Sequence, residues 1–472
     1  MSDRPNIWTI PPGVPFLPTL ADAVASGRLT GGRGSAGLEI ADTTIYVPTR
    51  RAARTLRSCF VERMDNRATI LPTIRPLGEF DDDGAEFLDL PGTLLDAFPP
   101  VSQHERLFSL APLVRSWKSR LPAHIASLFD EELIVPASTA DAIWLARDLA
   151  TLLDQVETEE VSWAELGSLV PDELAGWWQI TLEFLQIVTE YWPNILNEKQ
   201  RSDPAAWRSS QINAETERLL AGANRGPVIA AGSTGSIPAT ARLLAAIASN
   251  SSGAVVLPGL DKELDDDSWA LIDKTDAAPS VFGHPQYGLK KLLARLGAGR
   301  DDVEVLAGPT EQLAARERLV NEALRPAEST DKWLVNKAEV ERAIASGALV
   351  RLALIEAPDE RHEAFAIAVA LRLAVAEPGH RAALVTGDRT LARRVSAELS
   401  RFDIEADDSG GRILASPPPA ALFLLLAETA FRPGDASALL DLLTHPLLLC
   451  GEPRAEARRL AAFAELVLLR GG

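Results

Sequence analysis

Cysteine is nearly absent from this chain: Cys59 and Cys450 are the two in 472 residues. A disulfide framework is excluded, and so is a four-cysteine zinc or iron–sulfur site built from this chain alone. Long apolar runs are missing too, because charges interrupt every stretch that approaches the length of a membrane span. The opening residues Met-Ser-Asp-Arg-Pro carry no basic segment followed by an apolar one, so no secretory signal is expected. A reducing, cytoplasmic location with no membrane partner is the expectation. Positive charge is also in deficit, with 47 Lys and Arg against 66 Asp and Glu and a formal net charge of −19. Such a chain does not coat long stretches of DNA, although a local basic groove on an acidic protein is compatible with that charge.

What is present is ample apolar material, 46% of the residues, in a chain long enough for roughly two to four domains. Short apolar strands alternate with helical patterns at the start. Asn6–Ile10 reads as a strand, followed by a proline-rich turn and a helix carrying Leu17, Leu20 and Val24. Thr43–Val47 and Ala68–Leu71 read as further strands, with a helix of Ala52, Ala53, Leu56 and Phe60 between them. This alternation predicts a parallel, doubly wound sheet. From residue 102 to about 222 the pattern becomes helical, with a capping box at Ser138 and Asp141. Trp177, Trp178, Phe184, Leu185 and Trp192 read as core aromatics of this helical insertion. Strands return at Val228–Ala231 and Ala254–Leu257, and 289–345 is again helical. A second α/β unit is expected from 346, with strands at Leu352–Glu356, Ala382–Thr386 and Ile404–Ala406. The expected domains are 1–101 with 223–345, then 102–222, then 346–472.

The most telling segment is Val228 to Leu244: an apolar strand, the small-residue loop Gly232-Ser233-Thr234-Gly235-Ser236, and a helix opened by Pro238. That layout suits a phosphate, because free backbone N–H groups and the helix dipole favour an anion. Yet the loop has no lysine for a terminal phosphate and no acid for magnesium. The first strand–helix turn, Pro11 to Thr19, also lacks the lysine of a P-loop, and its prolines remove N–H donors. ATP hydrolysis there is not expected. Thr49, Arg50, Arg51 and Arg54 sit at a strand end and helix start, where arginines grip nucleic-acid phosphates; the competing reading is a solvated basic face. Thr386, Arg389 and Arg393 repeat that theme in the second unit. The acidic run Asp261 to Asp267 reads as a solvated turn rather than a metal site, and no catalytic triad or metal-ligand spacing stands out.

Several segments together resemble one family. They are Asn6–Leu17, Tyr46–Ala52, Ile74–Gly78, Val228–Thr240, Val255–Asp261, His284–Lys290 and Asp407–Gly411, which agree in order along the chain. The chain resembles the N-terminal part of AddB in its alphaproteobacterial type. The resemblance implies a superfamily 1 helicase-like (RecA-like) fold of parallel sheets with a large all-helical insertion and a degenerate motor. It implies a place in the AddAB helicase–nuclease, which processes double-strand DNA ends for recombinational repair. The AddA partner supplies ATP-driven translocation with its magnesium. Pro48 to Arg54 falls where such a helicase contacts single-stranded DNA, and Gly232 to Ser236 where an active one carries a nucleotide-sensing aspartate and glutamine, absent here. The family's helicase-like region is associated with scanning single-stranded DNA for the recombination hotspot sequence. AddB-like proteins end in a nuclease domain with paired carboxylates, a lysine, magnesium and an iron–sulfur cluster. Nothing after Leu414 fits that domain. The expectation is therefore an N-terminal fragment that stops inside the second helicase-like unit, with no cofactor and no nuclease activity of its own. A scaffold that mainly docks AddA is the alternative.

Overall fold

The structure is a computed structural model that describes residues 5–32, 37–63, 70–77, 98–120, 136, 138–163, 175–224, 226–273, 279–411, 414–415, 417–449 and 451–469. The chain divides into two compact units, residues 1–351 and 352–472. The first is α/β, built on a six-stranded sheet. Its strands are β1 (Ile7–Ile10), β2 (Thr44–Val47), β3 (Thr73–Pro76), β4 (Val228–Ala231), β5 (Gly253–Pro258) and β6 (Glu304–Val305), in the order β3-β2-β4-β5-β1-β6. All five pairings are parallel.

The strands are apolar on both faces, as a parallel sheet covered on both sides requires. Every residue of β1 and β4 is buried. Helices α1 (Phe16–Ala25) and α2 (Arg50–Arg63) cover one face, setting Leu20, Val24, Leu56 and Phe60 against Ile10, Ile45 and Val47. The opposite face carries Ile7, Val255 and Leu257, packed with residues of two later helices. The third strand differs from expectation. Ala68 and Thr69 lie outside the described residues, and the ladder with β2 instead runs through Thr73–Pro76, pairing Ile74 with Ile45. Proline at its last position is tolerated because β3 is an edge strand. The two-residue β6 was not legible, being too short and too polar to carry a periodic signal.

Between β3 and β4 the chain builds helices α3 (Gln103–Arg120), α4 (Thr139–Glu159), α5 (Ala175–Gln186), α6 (Trp192–Lys199) and α7 (Pro204–Leu220). Ser138 and Asp141 form the capping box on α4. Leu110, Val114, Leu149, Leu153, Leu185 and Trp192 make a separate core. Buried Arg106 ties this core together, reaching Asp154 at 2.7 Å and Asp203 at 3.0 Å, and Trp192 donates to Asp203. The insertion meets the sheet through Ile212 and Leu219 of α7, which join the sheet's core, and through a buried polar cluster. The Tyr46 hydroxyl on β2 donates to Glu215 Oε1 on α7 at 2.5 Å, and Arg218 donates to both Glu215 oxygens at 2.7 Å. Burial, and then the Glu215 charge, push the Tyr46 hydroxyl far above its ordinary pKa.

In the second unit, α13 (Glu360–Ala374) and α14 (Arg389–Ser400) pack through Ala364, Ala368, Val395 and Leu399. The three strands expected there do not form: no backbone ladder joins these segments among the described residues. Leu384 and Ile404 turn onto the helix pair, whereas Leu354 and Val385 are 86% and 94% exposed. Within the second unit the helix pair therefore takes up only part of these segments, which do not form the sheet the alternation predicts. Helices α15 (Pro418–Phe431), α16 (Ala436–Thr444) and α17 (Arg454–Ala464) follow.

Tyr46→Phe removes the hydroxyl facing buried Glu215 and leaves that carboxylate short of a donor. A loss of about 1–2 kcal/mol is expected, read as a lower urea midpoint by circular dichroism; an unchanged midpoint would show that Arg218 alone satisfies Glu215.

Candidate nucleic-acid interface

Covering both faces of the sheet decides where a site can form. The chain leaves β1 and β2 into α1 and α2 on one face. It leaves β4 into α8 (Pro238–Ser249), and it follows β5 with α9 (Asp266–Leu271) and α10 (Tyr287–Arg295). Leu243, Leu244 and Ile247 of α8, and Leu289 and Leu292 of α10, pack on the other face. Neighbouring strands β2 and β4 therefore send their helices to opposite faces, and so do β5 and β1. Such switch points open crevices at the carboxyl ends of parallel strands, where ligands bind.

At the β2/β4 switch point the structure brings two of the three predicted groups together. Thr49 ends the β2 exit and caps α2, its Oγ1 accepting from the Ala52 N–H at 3.1 Å. Arg50, Arg51 and Arg54 follow, with Arg51 and Arg54 exposed. The first turn of α2 contains no acidic residue. Cations at a helix N-terminus oppose the dipole, an unfavourable arrangement that a bound anion relieves. Across from it, Gly232 to Ser236 leaves β4, and the Gly232 backbone lies against Pro48 and Phe16. Thr234 and Ser236 are exposed. Gly232 and Gly235 have φ of 81° and 60°, and Leu292 and Leu244 press on Gly235 so closely that a side chain would collide. Helix α8 begins without a side-chain cap at Ile237. The glycines thus serve packing, while Thr234 and Ser236 present their hydroxyl-bearing side chains at the surface and the first turn of α8 is buried at Ala239, Thr240 and Ala241.

The β5/β1 crevice is closed. Helix α11 (Glu311–Ala323) lies beside it, with Leu313 filling the space above Gly13, where any β-carbon would sit 2.8 Å from the leucine. Pro12 packs against Gly259 in the turn leaving β5. Thr9 braces the same exit, donating to the Leu257 carbonyl and accepting from the Leu260 N–H. Asp261 is not a solvated turn residue as expected. It is buried, and its carboxylate accepts from the N–H groups of Glu263 and Leu264 and from Asn321 of α11 at 3.1 Å. Asp265 holds α12 (Lys332–Ala345) to α9. Burial opposes its ionisation, but hydrogen bonds from Arg325 and Lys332 outweigh that and hold its carboxyl well below the usual range. Asp266 and Asp267 of that run have almost fully exposed side chains. Glu317 on α11 is a further perturbed acid of this region. Burial, then the charges of Asp261 and Glu263, raise it to about 7 against the opposing pull of Arg318.

Thr386, Arg389 and Arg393 lie in the second unit. Thr386 Oγ1 accepts from the Asp388 N–H, and Asp388 caps α14 by accepting from the N–H groups of Thr390 and Leu391. The donors a phosphate would use there already serve a carboxylate. Arg389 is held by both oxygens of Asp408, at 3.0 and 2.8 Å, and by the Gly411 carbonyl. The Asp407–Gly411 turn is thus an arginine receptor, and its Gly410 leaves room for the guanidinium to lie against the backbone. Arg393 donates to the Arg389 carbonyl and to Thr390.

Among the described residues no group of three or more His, Cys, Asp or Glu is placed to hold a metal ion, and no helix is long and apolar enough to cross a membrane. Comparison with known proteins finds no matching family and no matching curated protein. Sequence reading missed the closing of the β5/β1 crevice, because Leu313 stands 300 positions from Gly13 and its contact carries no local signal.

A carboxyl raised in the fold contributes stability below its unfolded value and loses it as pH climbs through the folded one. Stability is therefore expected to fall between pH 4.5 and about 7 as Glu317 ionises. Glu317→Gln removes that fall, leaving the variant more stable at pH 8 by on the order of 2 kcal/mol and equal to the parent at low pH. Thermal melts across this range check it; parallel profiles for the two proteins would clear Glu317 of the effect.

Proposed function

We propose that this chain is a DNA-holding, non-hydrolysing helicase-like component of an AddAB-type helicase–nuclease, acting in double-strand break repair by homologous recombination in the cytoplasm. Its partners in this reading are AddA, which moves the complex with ATP, and the DNA ends on which the complex works. The observation that carries the proposal is the juxtaposition at the β2/β4 switch point. An arginine-bearing helix start and a hydroxyl-rich, lysine-free loop leave adjacent strands on the same edge of one sheet. Phosphates of a nucleic-acid backbone suit that chemistry, because cations, hydroxyls and free N–H groups are its usual positioning contacts. The β5/β1 crevice supports a reading without a motor, since Leu313 packs over Gly13 in the lysine-free first turn and Pro12 packs against Gly259.

Partner docking is the second reading, favoured by the exposed apolar side chains of the second unit, among them Phe423 and Phe431. It requires co-purification with AddA and no affinity for DNA.

Single-stranded oligonucleotide binding by fluorescence anisotropy tests the first reading. Replacing Arg50, Arg51 and Arg54 together with alanine is expected to weaken binding at least roughly tenfold and to lower the salt slope by about 0.7 for each lost phosphate contact. An unchanged affinity and slope would remove this site. A single-turnover assay is expected to find no ATP hydrolysis; robust turnover would overturn the motor-less reading.

A further inference from the structure

Beside the Gly232–Ser236 loop stands a feature that phosphate contact does not use. Phe282 is 58% exposed and meets the Tyr287 ring edge to face, with centroids 5.4 Å apart and planes at 86°. The Lys291 ammonium lies 5.1 Å from the centre of the Tyr287 ring, and no ion pair engages it among the described residues. An exposed aromatic corner with a cation on its second ring combines a stacking surface with a charge for the adjoining phosphate.

The corner is held rigidly at the edge of the sheet that carries the candidate site. Gln286 bolts it to the β5 exit, donating to the Gly259 carbonyl at 2.9 Å and accepting from the Asp261 N–H at 3.1 Å. His284 closes the turn, its Nδ1 accepting from the Gln286 N–H while its carbonyl accepts from the Tyr287 N–H. Gly288 brings the start of α10 against Thr234, 3.7 Å from where its β-carbon would lie. That contact sets Tyr287 next to the hydroxyl loop. Stacking surfaces contribute most when they need no ordering on binding, and this one is fixed by buried Val281 and the hydrogen bonds on either side of it.

We infer that Phe282 and Tyr287, with Lys291, form a base-stacking platform that holds an unpaired nucleobase of a single strand whose phosphates run along Thr234, Ser236 and the α2 arginines. The inference rests on the nucleic-acid reading above and adds to it a selectivity. Bases paired in a duplex have their faces covered, so the platform favours single over double strands without reading sequence.

The test compares a single-stranded oligonucleotide with an abasic one of equal length and charge. The full chain is expected to bind the base-bearing strand about tenfold more tightly. The Phe282→Leu/Tyr287→Leu variant, its fold checked by circular dichroism, is expected to bind both strands equally at the weaker level. Photocrosslinking of the unaltered chain to a 5-iodouracil strand needs no variant and is expected to map to Phe282 or Tyr287. Equal affinity of the unaltered chain for both strands, or crosslinks confined elsewhere, overturns the platform while leaving the phosphate site standing. Failure to bind either strand overturns the nucleic-acid reading itself.

Discussion

The central strands of the first unit are apolar on both sides, and the backbone of a parallel sheet can be kept from water only by helices laid on both faces. That covering requirement organises much of the unit. It sends the chain from β1 and β2 to one face and from β4 and β5 to the other. Two switch points result, at β2/β4 and β5/β1, and the candidate phosphate contacts lie at the first. In the second unit, by contrast, the apolar segments expected as strands remain unpaired among the described residues, and only Leu384 and Ile404 of them join the helix pair.

The two crevices have opposite fates for a steric and an electrostatic reason. At β5/β1 the proline-rich turn offers few N–H donors, and Leu313, Pro12 and the buried Asp261 network fill or brace the space. At β2/β4 the exposed groups are of another kind, with Arg51 and Arg54 on α2 and Thr234 and Ser236 on the loop. Three arginines crowd the positive end of α2, and α8 begins without a cap. The proposed strand-holding role rests on this contrast between the two crevices. Burial beside Asp261 and Glu263 raises the Glu317 carboxyl on the helix flanking the β5/β1 crevice.

Much of this was legible in the sequence, and the reasons are local. Apolar runs bounded by Pro and Gly marked β1, β2, β4 and β5; Ser138 and Asp141 marked a helix start; Pro238 marked another. The third strand was misplaced because Ala68–Leu71 is as apolar as Thr73–Pro76, and what selects between them is the pairing of Ile74 with Ile45. Thr386, Arg389 and Arg393 illustrate the limit of motif reading. Their pattern matches that of Thr49 and the α2 arginines, but Asp388 and Asp408 already take the contacts a phosphate would make.

The sequence by itself determined the class of fold, the lack of a phosphate-binding lysine and the small-residue loops at the strand ends, because these follow from residue type and near-neighbour spacing. Tertiary structure alone decided that the β2 and β4 loops share an edge, that Leu313 packs over Gly13 at the other crevice, and that Gly288, next to Tyr287, lies against Thr234. Those outcomes depend on strand order and on contacts across tens to hundreds of residues, which no local pattern encodes.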